Sequence, residues 1–222
     1  MKAMILAAGR GERMRPLTDQ TPKPLLHAGG KRLIEYHIEA LVAAGVEQIV
    51  INYSHLGEQI KNSLGDGSRF ATHIVYSAED NMLETGGGIF QALSLFGNEP
   101  FIVVNGDIWT DYDFSQLCLP ESCLAHLVLV DNPPHNPQGD FHINQQMLDP
   151  ELGPSYTFSG IGLYQPKLFE NCEAGRFPLA PLLRQAIAQH QVSGEYFTGH
   201  WWDIGTPERL TSLDLFLKQQ VE

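Results

Sequence analysis

Basic residues are scarce in this sequence: 14 Lys and Arg stand against 26 Asp and Glu, for a formal net charge of −12. A chain this acidic lacks the electrostatic footprint of a nucleic-acid binder. Long apolar runs are missing as well, and no window approaches the roughly 20 residues of a membrane span. The opening MKAMILAAGRGERMR is apolar only briefly and turns basic where a signal peptide needs small, neutral residues. No membrane partner and a cytoplasmic location are therefore expected. Cysteine is sparse: Cys118, Cys123 and Cys172 are odd in number and form no close-spaced metal pair. Reduced thiols in a cytosolic protein are the plain reading. No G-K-[ST] follows Gly9 and Gly11, and no third glycine, so their loop is neither a Walker A loop nor a dinucleotide fingerprint.

What basic charge exists is concentrated. Lys2, Arg10, Arg13, Arg15, Lys23, Lys31 and Arg32 all fall within the first 32 residues, where Glu12 and Asp19 are the acids. A cationic segment on an acidic body suggests a local anion site. The 222 residues, 43% of them hydrophobic, suffice for one globular domain. We expect two halves, over about 1–115 and about 116–222.

Strand and helix signals alternate through the first half. Lys2–Leu6, Gln48–Tyr53, His73–Ser77 and Phe101–Asn105 read as strands; Leu33–Ala44, His55–Leu64 and Gly88–Leu95 read as helices, the first two stopped by Gly45 and Gly65. Such units predict parallel strands joined by right-handed crossovers, with ligands beyond the strands' carboxyl ends. The second half is less regular: Leu124–Val130 and Thr157–Tyr164 read as strands and 131–141 as a proline-rich loop. Leu179–Gln189 and Pro207–Leu217 read as helices. The expected fold is α/β, a Rossmann-like doubly wound mixed sheet, mostly parallel.

Three constellations carry chemistry. The first is LAAGRGERM at 6–14, followed by Pro16-Leu17-Thr18 and Pro22-Lys23-Pro24-Leu25. Gly9 and Gly11 let backbone amides approach an anion. Arg13 adds a forked cation and Lys23 a point charge, both suited to phosphate. The second is Asn105-Gly106-Asp107, a carboxylate at a strand end where a hard cation such as Mg²⁺ takes oxygen ligands. The third is Trp201-Trp202-Asp203-Ile204-Gly205-Thr206-Pro207. The histidines are dispersed and form no triad.

Together these strings resemble the sugar-1-phosphate nucleotidyltransferases, in family order and across nearly the whole chain. The resemblance implies the glycosyltransferase-A-like form of the fold, without a C-terminal β-helix, and an enzyme that joins an NTP to a sugar 1-phosphate and releases pyrophosphate. Leu6, Ala7, Ala8, Gly9, Gly11 and Glu12 would wrap the nucleotide. Arg13 would support the departing pyrophosphate, Lys23 would contact phosphates at the reaction centre, and Asp107 and Asp203 would hold Mg²⁺. Two carboxylates sharing a site repel unless a cation sits between them.

Glu79 would meet the base edge, accepting from uracil, thymine or guanine alike, with Thr85 and Gly86 of the LETGGG stretch near base or ribose. Asn105, Gly139, Asp140, Ser159 and Gly160 would face the sugar, with Asp203 between sugar and metal. Where relatives carry E-K-P, this chain reads INQQMLDPE, so the usual sugar-phosphate lysine is missing. The stretches LVLVDNP, QGDF, TFSGIGLY, APLLRQA and GHWWDIGT resemble one subgroup, the N-acetylmuramate-1-phosphate uridylyltransferases of bacterial cell-wall recycling. UTP is then the expected nucleotide partner. Mannose-1-phosphate guanylyltransferases resemble it next best, and a non-catalytic nucleotide-sugar sensor or an NAD-dependent oxidoreductase stand as readings of other classes. A monomer is expected.

Overall fold

A computed structural model describes residues 1–220. In chain order its regular elements are β1 (Lys2–Leu6), β2 (His27–Ala28), β3 (Lys31–Arg32), α1 (Leu33–Ala43), β4 (Gln48–Tyr53), α2 (Gly57–Leu64), β5 (His73–Ala78), α3 (Glu84–Ala92) and β6 (Phe101–Asn105). There follow β7 (Ile108–Thr110), β8 (Ala125–Val130), β9 (Phe141–Asn144), β10 (Met147–Asp149), β11 (Ser155–Tyr164), α4 (Leu179–Ala188), β12 (Val192–Tyr196), β13 (Trp201–Asp203) and α5 (Pro207–Gln219). Nine strands form one sheet in the order β5-β4-β1-β6-β11-β8-β12-β10-β9.

The four apolar runs of the first half are the parallel strands β5-β4-β1-β6. Their near-continuous hydrophobicity follows from burial on both faces: Ala3, Met4 and Ile5 are wholly buried, as are Ile49, Val50 and Ile51. In register, Leu6 lies between Asn52 and Asn105, and Asn52 opposes Ser77, which brings four strand ends to one rim.

Beyond β6 the expected mixed sheet changes character. β11 runs antiparallel to both β6 and β8, the β9–β10 hairpin closes the far edge, and only β12 pairs parallel, with β8. The parallel ladders are thus confined to the first half and one later pair. The hairpin and β12 carried too few consecutive apolar residues to stand out in the sequence.

Two helix starts moved. α3 begins at Glu84 rather than Gly88, so LETGGG is not the approach to a helix but its first turns. α2 begins at Gly57 rather than His55, because Leu56 takes a left-handed φ of 58°.

One apolar layer lies on each face of the sheet. A third cluster sits at its rim, where Leu210, Leu213 and Leu217 of α5 meet Met14, Leu26, Leu33 and Trp109. The last helix therefore packs on the first 33 residues, crossing the expected boundary between halves. No helix among the described residues is long and apolar enough to cross a membrane.

Candidate active site

At the parallel rim a cleft of about 510 Å³ opens over the carboxyl ends of β1, β4 and β6. Its floor is the segment after β1: Leu6, Ala7, Ala8, Gly9, Gly11, Glu12 and Arg13 all line it. Gly11 takes φ 63°, and a Cβ there would meet Thr18 Cγ2 at 2.9 Å. Only glycine makes this turn without strain. Thr18 Oγ1 donates to the Gly11 carbonyl at 2.8 Å and ties down the loop. The amides of Gly9, Arg10 and Gly11 donate to no acceptor among the described residues, leaving a concave row of donors open to an anion.

Lys23 enters from the short turn Lys23–Leu25 and is 7% exposed. A nearly buried ammonium needs an anionic partner. Its Nζ donates to Asp107 Oδ2 at 2.9 Å, while Asp107 itself remains half-exposed on the cleft wall. Glu79 is buried at the inner end. Its Oε1 accepts from Asn52 Nδ2 at 2.7 Å and its Oε2 from the Leu83 amide at 3.3 Å. Asn52 in turn accepts from the Ala7 amide at 2.8 Å, so one side chain couples Glu79 to the glycine loop. Thr85 and Asn105 also line the cleft.

The structure does not bring every anticipated residue to this cleft. Gly86 is buried in α3, facing Phe177. Gly139 packs on Ser155 and Asn132, and Asp140 accepts from the Phe158 amide at 2.8 Å and Asn136 Nδ2 at 3.1 Å. Ser159 is buried in the bulge of β11, where its hydroxyl donates to the Val128 carbonyl. Gly160 (φ 85°) touches the cleft indirectly: a Cβ there would lie 2.6 Å from Asn105 Nδ2.

Asp203 is reached by a route the doubly wound topology did not suggest. β7 and β13 form a separate two-stranded ladder in which Asp203 opposes Ile108. The Ile204 amide donates to the Asp107 carbonyl at 2.9 Å. The backbones of the two aspartates are thus neighbours, but the Asp203 side chain lines an adjoining cleft, where Oδ2 accepts from Arg209 Nη1 at 2.6 Å and faces His135 Nε2 at 3.1 Å. Among the described residues no cluster of three or more His, Cys, Asp or Glu is placed to hold a metal by itself. Each aspartate keeps an Oδ1 with no hydrogen-bond partner among those residues. Asp107, in the turn between β6 and β7, and Asp203, at the end of β13, would each offer an oxygen ligand to a hard cation.

Three residues of this region escaped sequence reasoning: Asn52, His135 and Arg209. Asn52 left one legible signal, a lone amide ending the apolar run QIVIN. His135 and Arg209 left none, since only the fold brings them together.

A family model for nucleotidyl transferases matches residues 2–141. The chain belongs to that family. This nucleotidyl transferase is 54% identical over 220 residues to the N-acetylmuramate alpha-1-phosphate uridylyltransferase of Neisseria meningitidis serogroup B, with 95% of each chain covered. It is 33% identical over 224 residues to the protein of the same name from Caulobacter vibrioides, covering 93% of this chain and 92% of that one. Among solved structures, a UDP-glucose pyrophosphorylase complexed with UDP-glucose superposes with a TM-score of 0.80 at 19% identity, covering 99% of this chain and 98% of that one. That likeness speaks for the fold.

Proposed function

We propose that this nucleotidyl transferase moves UMP from UTP to N-acetylmuramic acid 1-phosphate, yielding UDP-N-acetylmuramic acid and pyrophosphate. The observation that carries the substrate reading is the 54% identity, over 95% of each chain, with a protein named for that activity. The cleft that gathers Arg13, Lys23 and Asp107 supplies the chemistry.

An oxygen of the acceptor's phosphate attacks the α-phosphorus of UTP as the bond to the bridging oxygen of pyrophosphate breaks. The attacking phosphate is already anionic at neutral pH, so no enzyme nucleophile or strong base is required. The protein's task is to align the two substrates and offset charge. The open amides of Gly9, Arg10 and Gly11, with Arg13, hold the triphosphate and favour departure of pyrophosphate. Lys23, packed beside Gly11, reaches the phosphates, and Glu79 presents its buried carboxylate near the base. Asp107 and Asp203 would hold Mg²⁺, which would supply neutralisation of phosphate charge. Asn105, steadied by Gly160, borders the acceptor side. Such an enzyme would return muramic acid from cell-wall turnover to the nucleotide-sugar pool in the cytoplasm.

The test is pyrophosphate release with Mg²⁺ across UTP, GTP and dTTP. The acceptors are the 1-phosphates of N-acetylmuramic acid, N-acetylglucosamine, mannose and glucose. The expected maximum is UTP with the muramic acid acceptor. A maximum for GTP with mannose 1-phosphate would overturn the substrate reading while keeping the family and cleft.

A further inference from the structure

Beside the nucleotide cleft lies a second one of about 740 Å³, walled among others by Asn132, His135, Trp202, Asp203 and Arg209. The reaction derived above makes no use of Arg209 or His135. Arg209 stands in the first turn of α5, its amide donating to Thr206 Oγ1 at 3.4 Å. Its Nη1 donates to Asp203 Oδ2 at 2.6 Å, and its Nη2 lies 3.0 Å from His135 Nδ1. A guanidinium only donates, so Nδ1 is the accepting nitrogen and the ring hydrogen sits on Nε2, facing Asp203.

The guanidinium also stands where the two clefts meet. A Cβ built on Gly205, a residue of the nucleotide cleft, would lie 3.1 Å from Arg209 Nη1 and 3.3 Å from the Arg13 guanidinium. A sugar whose phosphate sits at Lys23 and Asp107 would therefore extend past Arg209.

Charge decides what Arg209 is for. Its side chain is 30% exposed, and its one carboxylate partner among the described residues is Asp203. The other acid of the second cleft, Asp131, already accepts from Tyr196 Oη at 2.6 Å. Asp203 can meet a divalent cation through Oδ1 and keep Oδ2 on Arg209. The guanidinium, engaged by one carboxylate oxygen and one imidazole nitrogen, still has N–H donors to offer an anion in the second cleft. A planar fork of donors beside an imidazole suits a carboxylate, which it can bind through two parallel hydrogen bonds.

We propose that Arg209, assisted by His135, is the specificity-determining residue that takes a carboxylate carried by the acceptor sugar. The inference rests on the substrate reading above: N-acetylmuramic acid differs from N-acetylglucosamine by a lactyl ether that ends in a carboxylate. The sugar lacking that ether leaves Arg209 unanswered.

The experiment compares wild type, Arg209→Gln, Arg209→Lys and His135→Gln. It measures kcat/KM for the 1-phosphates of N-acetylmuramic acid and N-acetylglucosamine, and calorimetric affinity for the two UDP-sugars without turnover. Any effect of loosening Asp203 strikes both acceptors and divides out of their ratio. Arg209→Gln should lose roughly 10- to 100-fold on the carboxylated acceptor, mainly in KM, the size of a charge-assisted hydrogen bond. The neutral acceptor should fall far less, and the UDP-sugar affinities should converge. Arg209→Lys should keep part of the preference, and His135→Gln should narrow it by a smaller factor. If wild type prefers the carboxylated sugar and Arg209→Gln keeps that ratio, the inference fails alone. If wild type shows no such preference, the substrate reading fails and takes the inference with it.

Discussion

Asp107 and Lys23 illustrate how a charged residue is kept inside this protein: the ammonium is nearly buried, and the carboxylate 2.9 Å away faces the cleft. Asp107→Asn should lower turnover by at least about 100-fold, the scale of losing one charge-stabilising group, with an unchanged circular dichroism spectrum. Near-normal turnover would remove Asp107 from the reaction. His37 offers a test of stability. It is fully buried in α1 with Nε2 2.8 Å from the Ile108 carbonyl oxygen, and burial lowers its pKa to about 4, outweighing the opposing influence of that hydrogen bond and of Asp107. The folded protein thus disfavours the imidazolium that the unfolded chain forms below about 6.5. Stability from this residue is intact above pH 6.5 and falls as pH drops toward 4. The total loss is about 3 kcal/mol over the 2.5 units between 6.5 and 4. Urea midpoints of wild type and His37→Gln between pH 7 and 4 would check it, the variant being flatter; parallel curves would refute it.

At the scale of elements, the β11 bulge shapes the cleft wall at Asn105. Gly160 sits there at φ 85°, and a methyl group would press on Asn105. Gly160→Ala should cost about 1–2 kcal/mol for the left-handed backbone alone, and should raise KM for the acceptor more than for UTP. Equal changes in both would mean that Asn105 does not border the sugar. The strands β1, β4 and β6 were legible to the residue because strands buried on both faces demand unbroken apolar runs. The first turns of α3 were not legible, since three consecutive glycines oppose helix on propensity. Packing overrides it: Gly86 faces Phe177, and the Gly87 amide donates to the Phe177 carbonyl at 3.1 Å. Tertiary contact thus reverses a local preference.

Across the whole molecule, α5 returns to the amino-terminal segment and seals the cluster that includes Met14, a residue of the cleft. Leu213 is wholly buried in that cluster. Leu213→Ala should cost about 2–5 kcal/mol and also weaken UTP binding, because the loop bearing Arg13 rests on it. A denaturant midpoint and a UTP titration on the same variant read both; full UTP affinity in a destabilised variant would uncouple helix from cleft. UTP with Mg²⁺ should raise the melting temperature of the wild type and NAD should not, as selective binding to the folded state requires.

Sequence alone determined the glycine loop with Arg13 and Lys23, the parallel half of the sheet and the family, because each is written in contiguous residues with a local physical cause. It also named both aspartates. Only the tertiary structure decided that they meet through the β7–β13 ladder, that Asp203 turns to Arg209 and His135, and that Asn52 joins Glu79 to the loop. Those contacts link residues 27 to 95 positions apart. Arg209 is the exception, only six positions from Asp203, yet its role too depends on a cleft that the packing of α5 creates. Side-chain pairing across such a fold leaves no periodicity or spacing in the chain, so no reading of the sequence could have found it.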